Sequence, residues 1–231
     1  MKTGIIILSR FSSSRLPGKV LRPLHGKPLL SHIINRLKVS VQASGNITIA
    51  TSNEPSDDAI EEFCDSHSIH CYRGNLNDVA GRFLNAAEEL ELDYAVRING
   101  DNLFIDTDLL DFMLKTAITG EYDFLTNVPG RTYPFGMSIE IISIPFLKKV
   151  YEKYTEEKYK EHVTLYLYDN PDLGKRKIFI NKDYPEAKGL KLAVDTLQDF
   201  ELLGSILSKL NNKTNYSLQE IISIYKTITE Q

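Results

Sequence analysis

The sequence predicts an α/β fold built on a mostly parallel sheet. Three observations carry this. Strand-like and helix-like patterns alternate along the first 127 residues. The intervening helical stretches are long enough to cross back over a sheet, as a parallel connection requires. The first strand-like run, Thr3-Gly4-Ile5-Ile6-Ile7-Leu8, is apolar enough to be buried.

The elements follow in order. Residues 5–9 (IIILS) read as a buried strand, and 29–39 as a helix with Pro28 suited to its first turn. Residues 46–52 (NITIATS) form a second strand. Ser56 is the expected cap of a helix over 57–66, where Ile60, Phe63 and Cys64 recur at helical spacing. A third strand at 69–72, a helix at 79–90 and a fourth strand at 94–98 follow. Thr107 or Asp108 opens a helix reaching Ala117, and 123–127 is a fifth strand. Beyond Asn127 the rhythm changes. Residues 137–144 read as a strand free to run antiparallel, 145–154 and 158–168 as helices, and 177–181 and 191–194 as strands. Helices at 197–210 and 217–228 close the chain. Without repeats or long linkers, residues 1–231 are expected to form one domain, with a small lobe inserted at about 129–189.

Composition narrows the classes. The chain has 231 residues, 42% hydrophobic and 25% charged, with a net charge of −4. That balance fits a globular domain and argues against general nucleic-acid binding, which favours a basic surplus. No apolar run approaches a membrane span, and the N-terminus lacks the apolar core of a signal peptide. Cys64 and Cys71, the only cysteines, do not form a CxxC pair, so free thiols and a cytoplasmic setting are expected. The five histidines show no metal-ligand spacing.

Ligands of parallel sheets bind beyond the carboxyl ends of the strands. The residues there are Arg10, Thr51-Ser52-Asn53, Arg73-Gly74-Asn75 and Asn99-Gly100-Asp101-Asn102. After the first strand, Ser9-Arg10-Phe11-Ser12-Ser13-Ser14-Arg15-Leu16-Pro17-Gly18-Lys19 combines small residues with three cations. Such a loop suits a triphosphate: backbone N–H groups meet phosphate oxygens, and Arg10, Arg15 and Lys19 offset charge that builds as pyrophosphate leaves. It is not a Walker A motif, nor does Gly-x-Gly-x-x-Gly follow the strand. Asp101 and Asp195 each end an expected strand. Each reads either as a helix cap or as a ligand of one Mg²⁺ completed by substrate phosphates, and the cationic loop favours the ligand. Asp106-Thr107-Asp108 matches the Asp-x-Asp of glycosyltransferases but sits where a helix begins. A glycosyltransferase and a non-enzymatic nucleotide-binding protein are the alternatives. His162 is expected to begin a helix, and the tyrosines around it to pack as its face.

The loop motif, with Gly26-Lys27-Pro28-Leu29-Leu30, resembles the nucleotide signature of the cytidylyltransferases that activate 3-deoxy-manno-octulosonate and sialic-acid-like sugars. The likeness is nearest to the SpsF-like branch. It runs on through Ala50-Thr51-Ser52, Arg73-Gly74, Asp78-Val79, Arg82-Phe83, Arg97-Ile98-Asn99-Gly100-Asp101, Thr132-Tyr133-Pro134, Glu161-His162-Val163-Thr164 and Val194-Asp195-Thr196. Two departures stand out. Leu8-Ser9 replaces a common Gln-Ala, and Asn102-Leu103-Phe104 lacks the Pro that often follows the Gly-Asp pair.

The resemblance implies a three-layer Rossmann-like nucleotidyltransferase fold of the GT-A-like kind. It implies transfer of CMP from CTP to a small anionic acceptor such as a sugar acid, with Mg²⁺ as cofactor and a homodimer as the assembly. Arg10, Arg15 and Lys19 are then the catalytic cations, with Ser13 beside them on the phosphates. Leu8, Ser9, Thr51, Ser52, Gly74, Asn75, Arg82, Asn99, Gly100 and Asp101 complete the nucleotide site. Asp101 and Asp195 would hold the metal, and Tyr133, Glu140, Glu161 and His162 would face the acceptor.

Overall fold

The computed structural model describes residues 1–42, 45–211 and 213–230. Among these, seven strands form one sheet. In chain order they are β1 (Thr3–Leu8), β4 (Ile47–Ser52), β5 (His70–Gly74), β6 (Tyr94–Asn99), β7 (Phe124–Thr126), β8 (Glu140–Ser143) and β9 (Arg176–Ile178). A small hairpin, β2 (Pro23–Leu24) and β3 (Lys27–Pro28), stands apart. The spatial order of the sheet is β5-β4-β1-β6-β8-β7-β9. β8 runs antiparallel to both neighbours, and the other pairings are parallel. The chain moves outward from β1 through β4 to β5, then returns to lay β6 on the other side of β1. This reversal opens a crevice between the carboxyl ends of β1 and β6, where open α/β sheets bind ligands.

Helices cover both faces. On one lie α1 (Leu29–Leu37), α2 (Asp58–Ser66), α4 (Thr107–Ala117), α8 (Leu197–Lys209) and α9 (Leu218–Thr229). On the other lie α3 (Val79–Glu89), α5 (Ile144–Tyr151), α6 (Glu157–Glu161) and α7 (Leu165–Asp169). The strand period of two divides the core. Ile5 and Ile7 join the first face and Ile6 the second, all fully buried. Each such burial contributes on the order of 1.5–3 kcal/mol. The segment 129–189 supplies β8, β9 and α5 to α7. No helix among the described residues is long and apolar enough to cross a membrane. Cys64 and Cys71 are free, the first buried.

Three sequence expectations change. Ser56 does not cap α2; it sits inside a 3-10 turn, Pro55–Asp57, that leads into the helix. The helix expected over 158–168 is two short helices broken at His162, whose backbone is extended (φ −116°, ψ 92°). The Tyr154 hydroxyl donates to the Val163 carbonyl (2.8 Å), drawing that carbonyl away from the helical ladder. The strand expected at 191–194 joins no sheet. Leu192 N donates to Phe135 O (2.7 Å) and Val194 N to Asp101 O (3.1 Å), so its ladder partners are two loops. The alternation persists nonetheless: Leu192 and Val194 are buried, while Lys191, Ala193 and Asp195 line a cleft. Gly136 (φ 91°) permits the approach, because a Cβ there would lie 2.5 Å from Ala193 N.

Candidate active site

The loop after β1 is anchored before it is functional. Asp57 lies beneath it, fully buried, and accepts from Phe11 N (2.7 Å), Thr51 Oγ1 (2.9 Å), Ser52 N (2.9 Å) and Ser52 Oγ (2.5 Å). Burial pushes the Asp57 carboxyl up, but these hydrogen bonds outweigh it and hold the group below the usual range. Phe11 O in turn accepts from Ser13 N and Gly18 N, both at 2.9 Å, closing the loop into a compact turn. Thr51 and Ser52 therefore hold the loop from below, and both are buried.

Leu8, Ser9, Arg10, Ser13, Arg15 and Lys19 from this side meet Asn99, Gly100, Asp101 and Asp195 across a cleft of about 240 Å³ at the β1/β6 crevice. Gly100 N donates to Leu8 O (2.8 Å), and any Cβ on Gly100 would collide with Ser9 Oγ. The bare backbone is what lets Asp101 turn into the cleft. Lys19 Nζ lies 2.9 Å from Asp101 Oδ2, 3.8 Å from Asp195 Oδ1 and 2.6 Å from Val194 O. Arg15 contacts Asp195 Oδ1 at 2.7 Å and is 61% exposed, whereas Lys19 is only 12% exposed. Arg15 is thus free to reorient toward a ligand, and Lys19 is held.

Asp195 does not cap the helix that follows it. Thr196 is the N-cap of α8, in a capping box with Asp199. Asp199 accepts from Asp195 N (3.0 Å), Thr196 N (2.8 Å) and Lys191 Nζ (2.7 Å). With Asp199 serving the backbone, the Asp195 carboxylate is left to face the cleft, where Lys191 approaches its other oxygen at 3.4 Å.

Two further clefts adjoin. One of about 750 Å³ shares Asn99, Asp101 and Asp195 with the first. Its wall carries Arg97, Arg131, Glu140, His162, Tyr168 and Lys191. Glu140, 1% exposed, pairs with Arg97 and accepts from the Tyr168 hydroxyl at 2.5 Å. Burial, reinforced by Glu140, pushes the Tyr168 phenol well above its ordinary range. Arg97 also donates to Asn99 Oδ1 (3.0 Å), so the buried pair reaches the floor both clefts share. The other cleft, of about 520 Å³, meets the first at Arg10 and is lined by Asn75, Asn77, Asp78, Glu157, Lys160 and Glu161. Asn75 Oδ1 accepts from Asn77 N and Asp78 N (2.8 and 3.1 Å), and its carbonyl accepts from Arg82 (3.0 Å). Arg82 is buried behind this turn, where Gly74 leaves room for it; burial lowers its pKa.

The four residues expected to face the acceptor are not brought together. Glu140 and His162 line the largest cleft, Glu161 the one at Arg10, and Tyr133 packs against the core. Burial raises the Tyr133 phenol to about 12. Asp106 caps α4, accepting from Leu109 N (3.0 Å), so Asp106-Thr107-Asp108 is a helix start. Asp57, Arg131, Lys191 and Asp199 carry parts of the site that no single motif announced. The Thr196-x-x-Asp199 spacing of a capping box and the alternation placing Lys191 on the same side as Asp195 were the available signals.

A mostly parallel sheet that opens paired carboxylates and three cations at its switch point defines a nucleotide-handling α/β protein. The sequence profile described as cytidylyltransferase matches residues 4–229, and the chain belongs to this family of nucleotidyltransferases. It is 31% identical over 228 residues to the spore coat polysaccharide biosynthesis protein SpsF of Bacillus subtilis, covering 95% of this chain and 92% of that one. It is 33% identical over 222 residues to an uncharacterised protein of Methanocaldococcus jannaschii, covering 96% and 89%. A solved cytidylyltransferase from Leptospira borgpetersenii superposes with a TM-score of 0.93 at 32% identity, over 100% of this chain and 96% of that one. The CMP:2-keto-3-deoxy-manno-octonic acid synthetase, solved in complex with CTP, shares the fold at 18% identity (TM-score 0.66; 91% and 100% covered).

Proposed function

We propose that the protein is a Mg²⁺-dependent cytidylyltransferase that transfers CMP from CTP to a sugar acid or related anionic acceptor for surface polysaccharide biosynthesis. In this reading an acceptor oxygen bonds to the α-phosphorus of CTP while the bond to the β-phosphate bridge breaks, and pyrophosphate leaves. The observation that carries it is the meeting of Arg15 and Lys19 with Asp101 and Asp195 at the β1/β6 crevice. Cations for the phosphates and carboxylates for their metal occupy one cleft, with a larger cleft beside it for the acceptor.

The donor set fits Mg²⁺. Two hard carboxylates, 24% and 18% exposed, open on the cleft, and no group of three or more His, Cys, Asp or Glu able to hold a metal occurs among the described residues. That suits an ion taking one or two carboxylates with substrate phosphates and water. Asp101 and Asp195 would hold it, and it would offset charge on the reacting phosphates. Arg10, Arg15, Lys19 and Ser13 bind the triphosphate. The cytidine lies along Asn75 and Gly74, with Arg82 supporting the turn. In the acceptor cleft, Arg131 and His162 are the groups left to meet an anionic acceptor, since Arg97 pairs with Glu140 and Lys191 with Asp195 and Asp199. The assembly is a homodimer of single-domain subunits in the cytoplasm, with the 129–189 segment facing acceptor and partner.

Incubation with CTP, Mg²⁺ and a panel of 2-keto sugar acids, phosphonates and phosphates, read by pyrophosphate release, tests the proposal. Acceptor-dependent release with CTP supports it. Release that needs UTP or a purine triphosphate instead overturns it.

A further inference from the structure

We propose that the protein carries a second anion site: a basic cavity between the β2–β3 hairpin, α1 and the connection from α8 to α9 that takes a phosphate-sized oxyanion. The cavity, of about 120 Å³, shares no residue with the three clefts of the active site. Its volume is half that of the phosphate cleft, enough for one tetrahedral oxyanion and too little for a nucleotide.

The wall is one-sided in charge. Lys27, Arg36, Lys213, His25 and His32 line it, and no Asp or Glu does among the described residues. Lys27 and Lys213 are exposed and form no ion pair among the described residues. Arg36 is 3% exposed. Its guanidinium donates to the carbonyls of Ile105 (2.8 Å), Thr214 (2.6 Å) and Tyr216 (2.8 Å) and lies 3.9 Å from the Tyr216 ring centre. Those contacts satisfy its N–H groups without cancelling its charge. The carboxylates of Asp106, Asp108 and Glu220 act on it only from outside the wall. A buried cation without a paired acid favours a mobile anion nearby.

The histidines add directed acceptors. His25 Nε2 lies 2.8 Å from Gly204 O, and His32 Nε2 lies 2.8 Å from Leu24 O. A carbonyl only accepts, so Nε2 carries the proton in both rings and each Nδ1 is left as an acceptor for an O–H of the ligand; burial lowers the His32 pKa and favours this neutral form. A monohydrogen oxyanion such as phosphate fits both cations and histidines, taking charge-assisted hydrogen bonds from Lys27 and Lys213 and offering its O–H to a histidine Nδ1. The location gives it consequence. The hairpin follows directly on the 3-10 turn Lys19–Leu21, and α8 begins two residues beyond Asp195. An anion here fastens the hairpin to the α8–α9 connection, joining the segments that carry Lys19 and Asp195.

The test is an NMR titration of the His25 and His32 imidazole resonances with inorganic phosphate, at constant ionic strength against chloride. It is run on the whole protein and on two double variants, Lys27→Ala/Lys213→Ala and Arg15→Ala/Lys19→Ala. Saturable shifts in the wild type and in Arg15→Ala/Lys19→Ala, weakened about tenfold or more in Lys27→Ala/Lys213→Ala, are expected. Shifts that chloride reproduces, shifts that do not saturate, shifts lost with Arg15→Ala/Lys19→Ala, or the absence of any shift would each overturn the site. None of these outcomes depends on the cytidylyl reading.

Discussion

Lys19 places its ammonium 2.9 Å from the Asp101 carboxylate, in the same cleft where it stands 3.8 Å from Asp195. Without a nucleotide, this one lysine holds two carboxylates that would otherwise repel each other. The arrangement assigns Lys19 two tasks, neutralising Asp101 and Asp195 in the free protein and meeting phosphate in the complex.

Lys19→Ala and Arg15→Ala should therefore separate. Each should lose on the order of 2–4 kcal/mol of transition-state stabilisation, as removal of a donor to developing charge does. Arg15, 61% exposed, should leave stability within about 0.5 kcal/mol of wild type. Lys19→Ala should cost about 1–2 kcal/mol of folding free energy, because its partners are left facing each other. Steady-state kinetics and urea denaturation of both variants check this. Near-normal kcat/KM in both would remove the loop from the mechanism.

The neighbours of Asp195 divide helix capping from cleft chemistry. Thr196→Ala should cost about 1 kcal/mol, since it removes the N-cap of α8. Asp195→Asn should leave stability nearly unchanged while suppressing turnover. Denaturation midpoints measured beside initial rates distinguish the two. A destabilised but fully active Asp195→Asn would reverse the assignment.

Asp57 links the loop to pH. Its folded-state pKa is depressed, so it contributes stability that is present above the ordinary aspartate value of about 3.9 and lost as pH falls through the lower folded value. Asp57→Asn should remove about 1–3 kcal/mol at pH 7, because an amide cannot accept all four hydrogen bonds. The deficit should shrink as pH falls below about 4, where the unfolded-state carboxyl takes up a proton while the folded one still resists it, and close below the lower folded value. Denaturation of both proteins at pH 7 and near pH 3 tests this, and a pH-independent deficit contradicts it.

Nucleotide choice tests the turn at Asn75. Cytosine presents an amino donor where uracil presents an acceptor, and a site built from backbone and amide groups rejects the wrong base by leaving buried groups unpaired. CTP should bind more tightly than UTP, with ATP and GTP weaker still. Competition titrations give the order, and a UTP or purine preference would be incompatible with this site.

The fold was legible wherever a single segment decided its own structure. β1, β4, β5 and β6 announced themselves as short strand-like runs between helical stretches, and their carboxyl ends brought Arg10, Gly74, Asn99 and Asp101 to one edge. Legibility failed where a distant partner decided. The 191–194 segment has strand alternation, but its backbone bonds to loops at Phe135 and Asp101. Beside the break at His162, the Val163 carbonyl bonds to a hydroxyl from Tyr154, nine residues away. Asp57 was hidden for the same reason, since its main clients, Phe11 and Ser52, come from two separate segments. Lys191 was passed over because a lone lysine in an apolar run carries no motif until Asp195 and Asp199 are seen beside it.

Calorimetric titration of CTP into wild type, Asp101→Asn and Asp195→Asn, with and without Mg²⁺, tests the central claim without needing the acceptor. The account predicts that Mg²⁺ tightens CTP binding to the wild type about tenfold or more, a coupling of ordinary size between linked ligands. Either Asn substitution should remove most of that gain while CTP still binds through Arg10, Arg15 and Lys19. Binding of CTP that ignores Mg²⁺ in the wild type, or a gain that survives intact in Asp195→Asn, would contradict it.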